Sequence, residues 1–240
     1  MIFYRRLLPI KAITFDLDDT FYDNHPFIKK AEQALFDYLF EHYPSAGKLG
    51  VAGWRAIRQS VLSKQPELQH DMIRLRQTIL AELFAQIAVP DNERQQAVES
   101  AFDFFYQQRS HFKVIPEYCT LLSQLSQRVP LVAITNGNVD LARIGIAPYF
   151  QESLHASVEQ PMKPHPKMFL MAQQQLGVPA SNILHVGDSL QKDVAGALKA
   201  GYQAAWYADN RRMNMRLEKA SLLPHVQLSA LAELPDLLDQ

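Results

Sequence analysis

The chain has 240 residues, with 24 basic and 25 acidic side chains, a formal net charge of -1 and 48% hydrophobic residues. A chain of this length and composition buries roughly three-quarters of its unfolded surface, so disorder is excluded as its default state, and a charge so near neutral argues against a dedicated nucleic-acid binder. Its single cysteine, Cys119, rules out an internal disulfide, and its eight histidines show neither HExxH nor Cys/His zinc spacing. No apolar run approaches the ~18 residues of a membrane span. At the N-terminus Arg5 and Arg6 follow the apolar residues, and Pro9 and Lys11 come next, which makes a poor signal peptide. The expectation is a cytoplasmic protein, a monomer or weak homo-oligomer, with no nucleic-acid or membrane partner.

Three short apolar runs end in small or polar residues: Ala12 to Phe15 before Asp16, Leu131 to Ile134 before Thr135, and Ile183 to Val186 before Gly187 and Asp188. Runs of this kind, rich in β-branched residues and separated by helical segments, are the pattern of a parallel sheet covered on both faces. Between them, Pro116 to Arg128 and Pro166 to Leu176 read as helices, the second closed by Gly177 as C-cap with Pro179 beyond it. Gln203 to Tyr207 predicts another strand and His225 to Leu228 a short last one. The expected fold class is α/β, a Rossmann-like, doubly wound parallel sheet.

Residues 24–112 follow a different rule. Phe27, Ala31, Leu35, Tyr38 and Leu39, and later Met72, Leu75, Ile79, Leu80, Leu83 and Phe84, recur at helical spacing. Breaks at Pro44, Pro66 and Pro90 divide the stretch into about four helices, long enough to pack as a bundle. No strand is expected there. The organisation predicted is an α/β core of residues 1–22 and 114–240, with an all-helical cap, residues 23–113, inserted after the first strand and hinged near Tyr22–Asn24 and Lys113–Pro116.

The first strand ends in Asp16-Leu17-Asp18-Asp19-Thr20, and because strand side chains alternate, Asp16 and Asp18 point to one side. The crevice at the carboxyl ends of parallel strands is where ligands bind, so two like charges converge there and need a cation, a shared proton or both. An isolated pair of this kind is equally a solvated turn. Other strand ends supply what the pair lacks. Thr135-Asn136-Gly137-Asn138 offers a hydroxyl, side-chain amides and a glycine that lets backbone N–H groups approach an anion, which suits a phosphate. Lys163 is a cation on a segment stiffened by Pro164 and Pro166, and Gly187-Asp188-Ser189 through Asp193 adds two carboxylates at a strand-to-helix turn. Hard oxygen ligands without soft ones point to Mg2+ rather than zinc.

Asp16-x-Asp18-x-Thr20, Thr135-Asn136, Lys163-Pro164 and Gly187-Asp188-x-x-x-x-Asp193 resemble the four ordered motifs of the haloacid-dehalogenase-like (HAD) phosphohydrolases, whose type-1 helical cap is inserted at the same place. More locally, Ala12 to Asn24, Leu131 to Asn138, Ile183 to Ser189 and Leu222 to His225 are similar to the YigB-type flavin mononucleotide phosphatases within that superfamily. The resemblance covers the core strongly and the cap only loosely. It implies a phosphatase of small phosphorylated metabolites, with flavin mononucleotide or 5-amino-6-(5-phospho-D-ribitylamino)uracil of the riboflavin pathway as the expected substrate. Sugar phosphates or nucleotides are the alternative.

The resemblance also implies roles. Asp16 is the nucleophile that forms an aspartyl-phosphate, since a carboxylate stays ionised and needs no activating base. Asp18 is the acid that protonates the leaving alkoxide and then, as carboxylate, takes a proton from water. Mg2+ is held by Asp16, by Asp18 through its backbone carbonyl, and by Asp188. Thr135 and the Asn136 backbone hold phosphate oxygens, and Lys163 offsets negative charge and orients Asp16. Thr20, Ser189 and Asp193 support these groups from behind.

Several residues carry plainer readings. Asp19 lies on the opposite side of the strand alternation and suits a turn or helix start. His185, inside an apolar strand, reads as a hydrogen-bonded core histidine. Arg211, Arg212 and Arg216 read as a solvated face. Phe102, Phe105 and Tyr106 read as bundle core, although such a stripe can also stack on a flavin or pyrimidine ring. His70, Asp71 and Arg74 lie within one helical turn and suit either a cleft wall or a polar surface. A different class, the aspartate-phosphorylated signalling receiver, also combines aspartates, a hydroxyl and a lysine on a parallel sheet, but its acceptor lies on an internal strand and it carries no such helical insertion. A metal-free dehalogenase leaves Asp18 without a task, because its leaving group needs no proton. A phosphomutase is told from a phosphatase by the release of inorganic phosphate.

Overall fold

The computed structural model describes residues 1–218 and 222–239. Seven strands form one sheet: β1 (Ile2–Phe3), β2 (Ala12–Phe15), β3 (Leu131–Thr135), β4 (Glu152–His155), β5 (Ile183–Gly187), β6 (Gln203–Trp206) and β7 (Val226–Gln227). Their order across the sheet is β1-β7-β6-β5-β2-β3-β4. All neighbours are parallel except β1, which runs antiparallel to β7, so the sheet is mixed at this edge rather than wholly parallel. The chain moves outward from β2 to β3 and β4, then returns to add β5 on the other side of β2. That reversal leaves a crevice above the carboxyl ends of β2, β3 and β5.

The alternation of side chains along the strands sorts the core into two layers. Ile13, Phe15, Leu131, Ala133, Leu184 and Val186 face one cluster, which is covered by Leu121, Leu122 and Leu125 of α6 (Pro116–Ser126), by α7 (Leu141–Ile144) and by α10 (Leu234–Leu237). Ala12, Val132, Ile134 and Ile183 face the other, covered by Met168, Phe169 and Ala172 of α8 (Lys167–Leu176) and by α9 (Ala195–Lys199). Gly177 ends α8 with φ 65° in the left-handed region, its N–H donating to the Gln173 carbonyl at 3.0 Å. Glycine adopts that conformation without the steric cost of a Cβ. Thr14 is a polar residue in a fully buried strand, and its hydroxyl meets His185 Nδ1 on the neighbouring strand at 2.8 Å.

Residues 24–109 are helical: α1 (Asn24–His42), the short α2 (Pro44–Gly47), α3 (Gly50–Lys64), α4 (Met72–Gln86) and α5 (Asp91–Arg109). Pro44 and Pro66 occupy first-turn positions, and Pro90 precedes α5, so each proline starts a helical segment where its missing N–H costs nothing. These helices close on their own core, with Leu35, Leu39, Ile79, Leu80, Leu83, Phe84, Ala101 and Phe105 all buried. The segment therefore packs around an interior separate from the two sheet layers. No described helix is long and apolar enough to cross a membrane.

Candidate active site

Asp16 is the first residue beyond β2 and only 6% exposed, and its backbone N–H still donates to the Val186 carbonyl of β5 at 2.9 Å. Its Oδ1 accepts from Lys163 Nζ at 2.6 Å and its Oδ2 from the Thr20 hydroxyl at 3.3 Å. Burial pushes the Asp16 carboxyl well above its ordinary value; the Lys163 ammonium opposes this, while the like charges of Asp193 and Asp188 add to it.

Lys163 sits at the centre of the floor. Besides Asp16, its ammonium reaches the Ile134 carbonyl and Asp193 Oδ1, each at 2.6 Å. Burial alone would lower the lysine, but the two carboxylates outweigh it and hold the group above its usual value, so it remains a cation. The segment carrying it is fixed by Asn136, whose side-chain Oδ1 accepts from Lys163 N at 2.7 Å and whose Nδ2 donates to Lys163 O at 3.1 Å. Thr135, fully buried, accepts the Gly137 N–H on its hydroxyl at 3.0 Å.

Asp188 and Asp193 are brought together by the turn that follows β5. Ser189 caps this turn by accepting Lys192 N at 3.1 Å, and both Asp193 N and Val194 N donate to Ser189 O, at 2.9 and 3.1 Å. The resulting wide π-type turn over Leu190–Val194 swings Asp193 back under the strand end, where Oδ2 accepts from Ser189 N at 2.9 Å and Oδ1 meets His185 Nε2 at 3.2 Å. A Cβ at Gly187 would collide with the Asp193 carboxyl, so the close approach depends on glycine there. Burial works to raise Asp193, yet Lys163 and His185 together hold it below the usual carboxylate range. Asp188 is pushed up to about 6 by burial and by Asp193, against the pull of Arg211.

One carboxylate oxygen from each of Asp16, Asp188 and Asp193 falls within 4.8 Å of the others. An all-oxygen donor set carrying this much negative charge fits a hard divalent cation. All three border the cleft, and Asp193 is the one bonded through both oxygens to Lys163, His185 and Ser189.

Asp18 stands opposite. Its Oδ1 accepts from the Tyr22 hydroxyl and from Arg109 Nη2, both at 2.6 Å, while Oδ2 lies against Gly137. Asp19 adopts φ 64°, a left-handed conformation that aspartate tolerates, and its Oδ1 accepts the Asn24 N–H at 2.9 Å at the start of α1. Burial raises the Asp19 carboxyl.

These groups surround a cleft of ≈ 370 Å³. Its floor brings together Asp16, Asp18, Thr135, Asn136, Lys163, Asp188, Ser189 and Asp193. Thr20 acts from behind through Asp16. The wall comes from the helical segment, through Asn24, Ile28, Met72, Arg76, Phe105 and Arg109. Arg109 and Arg76 carry no reading from the sequence, and Tyr22 and Asn24 were expected there only as a hinge. The signal for Arg109 was its spacing: it continues the face of Phe102 and Phe105, where a charge is out of place unless partnered.

The remaining residues divide. Phe102 and Phe105 are buried in the helical core, and Phe105 also borders the cleft. Asp71 caps α4 by accepting Arg74 N at 2.9 Å, and Arg74 reaches Glu159 at 2.9 Å; neither they nor His70 line the cleft. His185 is fully buried, and burial holds its imidazole below the ordinary value. Arg211 corrects the reading of a solvated face: its Nη1 donates to Asp188 Oδ2 at 2.9 Å and its Nη2 to Asp188 O at 2.8 Å, so it closes the edge of the aspartate cluster.

The strand-end aspartates and the buried lysine, facing a helical wall, define an α/β protein with an acidic cleft at its strand ends and an inserted helical segment. Residues 10–201 match the family model described as haloacid dehalogenase-like hydrolase, and the chain belongs to this family. It is 36% identical over 238 residues, 99% of this chain and 100% of the other, to the 5-amino-6-(5-phospho-D-ribitylamino)uracil phosphatase YigB of Escherichia coli. It is 26% identical to the human N-acylneuraminate-9-phosphatase over 95% of this chain and 94% of the other. Among solved structures, a protein described as 2-haloacid dehalogenase from Pseudomonas syringae superposes with a TM-score of 0.89 at 36% identity, covering 96% of this chain and 98% of that one. Fold and aspartate cluster together make the chain an enzyme of the phosphatase type.

Proposed function

We propose that this enzyme is a Mg2+-dependent phosphatase that hydrolyses small phosphate monoesters through an aspartyl-phosphate on Asp16. The observation that carries the reading is the buried Asp16 carboxylate, held at 2.6 Å by Lys163 beside Asp188 and Asp193. Asp16 and Asp188, with the Asp18 carbonyl, would hold the ion, which when bound neutralises negative charge shared by the carboxylates and the phosphate.

Asp16 attacks phosphorus in line as the ester oxygen departs, and Asp18 gives that oxygen its proton. The Asp18 carboxylate then takes a proton from the water that attacks the phosphoenzyme, and inorganic phosphate and free Asp16 result. Tyr22 and Arg109 keep Asp18 aimed by bonding its Oδ1, which leaves Oδ2 for the proton. Thr135 and the Asn136 backbone bind phosphate oxygens. The Asn136 side chain fixes Lys163, and Asp193, itself held by the Ser189 N–H, positions it from the far side. Residues 23–113 act as the cap that selects the leaving group.

For substrate we favour 5-amino-6-(5-phospho-D-ribitylamino)uracil or flavin mononucleotide. Support comes from the full-length similarity to the phosphatase of the first compound and from the motif resemblance to flavin mononucleotide phosphatases. A second reading, dehalogenation of a 2-haloacid, is favoured by the description of the solved structure at 36% identity. It leaves Asp18 idle, because a departing halide needs no proton.

The test is release of phosphate and of halide across nucleotides, sugar phosphates, flavin mononucleotide, the pyrimidine ribityl phosphate and 2-chloropropionate, with and without a chelator. The expected result is phosphate release, highest on the ribityl phosphates, abolished by chelation and restored by Mg2+. Halide release, or phosphate release indifferent to complete metal removal, contradicts it.

A further inference from the structure

The cap wall holds two polar atoms that the protein itself leaves unused. Arg109 is 1% exposed, and while its Nη2 is committed to Asp18, its Nη1 is buried with no hydrogen-bond partner among the described residues. Asn24 borders the same cleft, its backbone N–H spent on Asp19, and its side-chain Oδ1 is likewise buried and unpartnered. Buried polar groups are nearly always paired, and an unmade hydrogen bond there is costly. A donor and an acceptor without partners among the described residues thus belong to two side chains that line one cleft, one of them bonded to Asp18.

We propose that Arg109 and Asn24 recognise hydroxyl groups on the leaving group close to the phosphoester, so that the preferred substrates are phosphates of polyhydroxylated chains rather than of bare alkyl or aryl alcohols. This rests on the phosphatase reading above. A hydroxyl has lone pairs for the Arg109 N–H and an O–H for the Asn24 oxygen, and so satisfies both. A carboxylate only accepts and leaves Asn24 unpaired, while a methylene serves neither. The hydroxyls concerned lie near the ester, because the same guanidinium that offers Nη1 also grips Asp18. An aromatic ring at that position is disfavoured for an independent reason: the Phe105 ring is buried and already engaged by the Arg76 guanidinium, 3.7 Å from its centre, which also pairs with Glu32 at 3.3 Å. A ring in the substrate therefore sits beyond a hydroxylated chain.

The experiment compares kcat/KM for D-ribitol 5-phosphate with that for pentane-1,5-diol monophosphate, which has the same carbon chain without the three inner hydroxyls, and includes p-nitrophenyl phosphate. Wild-type enzyme is expected to favour the hydroxylated ester by about 100-fold or more, since a site built to bond a hydroxyl rejects the analogue lacking it. Asn24→Leu and Arg109→Met are expected to lower that ratio at least about tenfold, and Asn24→Asp, which keeps an acceptor oxygen, to retain it. The ratio cancels any loss of folded enzyme or of general-acid placement common to both esters. A wild-type ratio near one, or a ratio unchanged in Asn24→Leu and Arg109→Met, overturns the assignment. Absence of phosphate release from all three esters overturns the phosphatase reading instead.

Discussion

The floor of the cleft and its helical wall treat polar groups in opposite ways. On the floor, Lys163 has three oxygen partners at 2.6 Å and both oxygens of Asp193 are bonded, so the geometry is fixed by protein contacts alone. On the wall, Arg109 and Asn24 each keep a buried atom without a partner among the described residues. A site whose charged groups are already held in place is set up for one reaction, because electrostatic preorganisation acts on developing charge at no further cost. Unfilled hydrogen-bonding capacity instead waits for a particular leaving group. On the proposed reading chemistry and selectivity fall to different parts of the chain, and substitutions should separate them.

The largest separation is expected from Asp16→Asn. Phosphate release in a colorimetric assay should fall by about 10³-fold or more, because the proposed nucleophile is lost, while the thermal midpoint by circular dichroism stays close to that of wild type. Turnover comparable to wild type would remove Asp16 from the chemistry. Lys163→Met should damage both properties: it leaves Asp16 and Asp193 facing each other without the cation between them, a loss of about 3–5 kcal/mol in denaturant unfolding together with the activity. A variant as stable as wild type would mean that the floor is not held by this charge network.

In the cap the converse holds. Leu80→Ala, at a fully buried position of the helical core away from the cleft, should cost about 2–5 kcal/mol in the unfolding of that segment and leave turnover of p-nitrophenyl phosphate near wild type at low temperature. Equal losses of stability and of turnover would mean that cap and floor are one energetic unit.

The smallest effect concerns pH. His225 is held below its ordinary value by burial and by Arg5, and its Nδ1 accepts the Ala204 N–H at 3.1 Å, a bond that needs the neutral ring. A depressed histidine contributes stability that is complete above its unfolded value, near 6.5, and is lost as the pH falls through the folded value. The thermal midpoint should therefore decline between pH 7 and pH 5, and decline less in His225→Asn, whose amide oxygen replaces the acceptor without titrating. The same slope in both proteins would assign the decline to other groups.

The sequence disclosed these regions unequally, for physical reasons. Strands β2, β3 and β5 are buried on both faces, so they stand out as unbroken apolar runs, and the residues lining the floor follow directly at their ends. Strands β1 and β4 escaped notice because the first is two exposed residues and the second buries only Leu154 fully. The antiparallel edge that β1 makes with β7 was hidden for the same reason. The prolines marked the cap helices well, since each one starts a helical segment. What the spacing did not reveal was which side chains meet across long stretches of the chain. Arg109 reaches Asp18 from 91 residues away, Asn136 fastens the Lys163 backbone across 27, and Arg211 bonds Asp188 from a stretch that read as solvated surface. Periodicity places a residue on a face, but only the packed fold determines which partner lies opposite.

The most direct test of covalent catalysis at Asp16 is to quench the enzyme in acid during turnover of a phosphate monoester, reduce it with borohydride, and sequence its peptides by mass spectrometry. An acyl phosphate reduced in this way becomes homoserine, and the account predicts homoserine at position 16 and at no other aspartate. Turnover that leaves position 16 as aspartate, with homoserine at another position or at none, would contradict it.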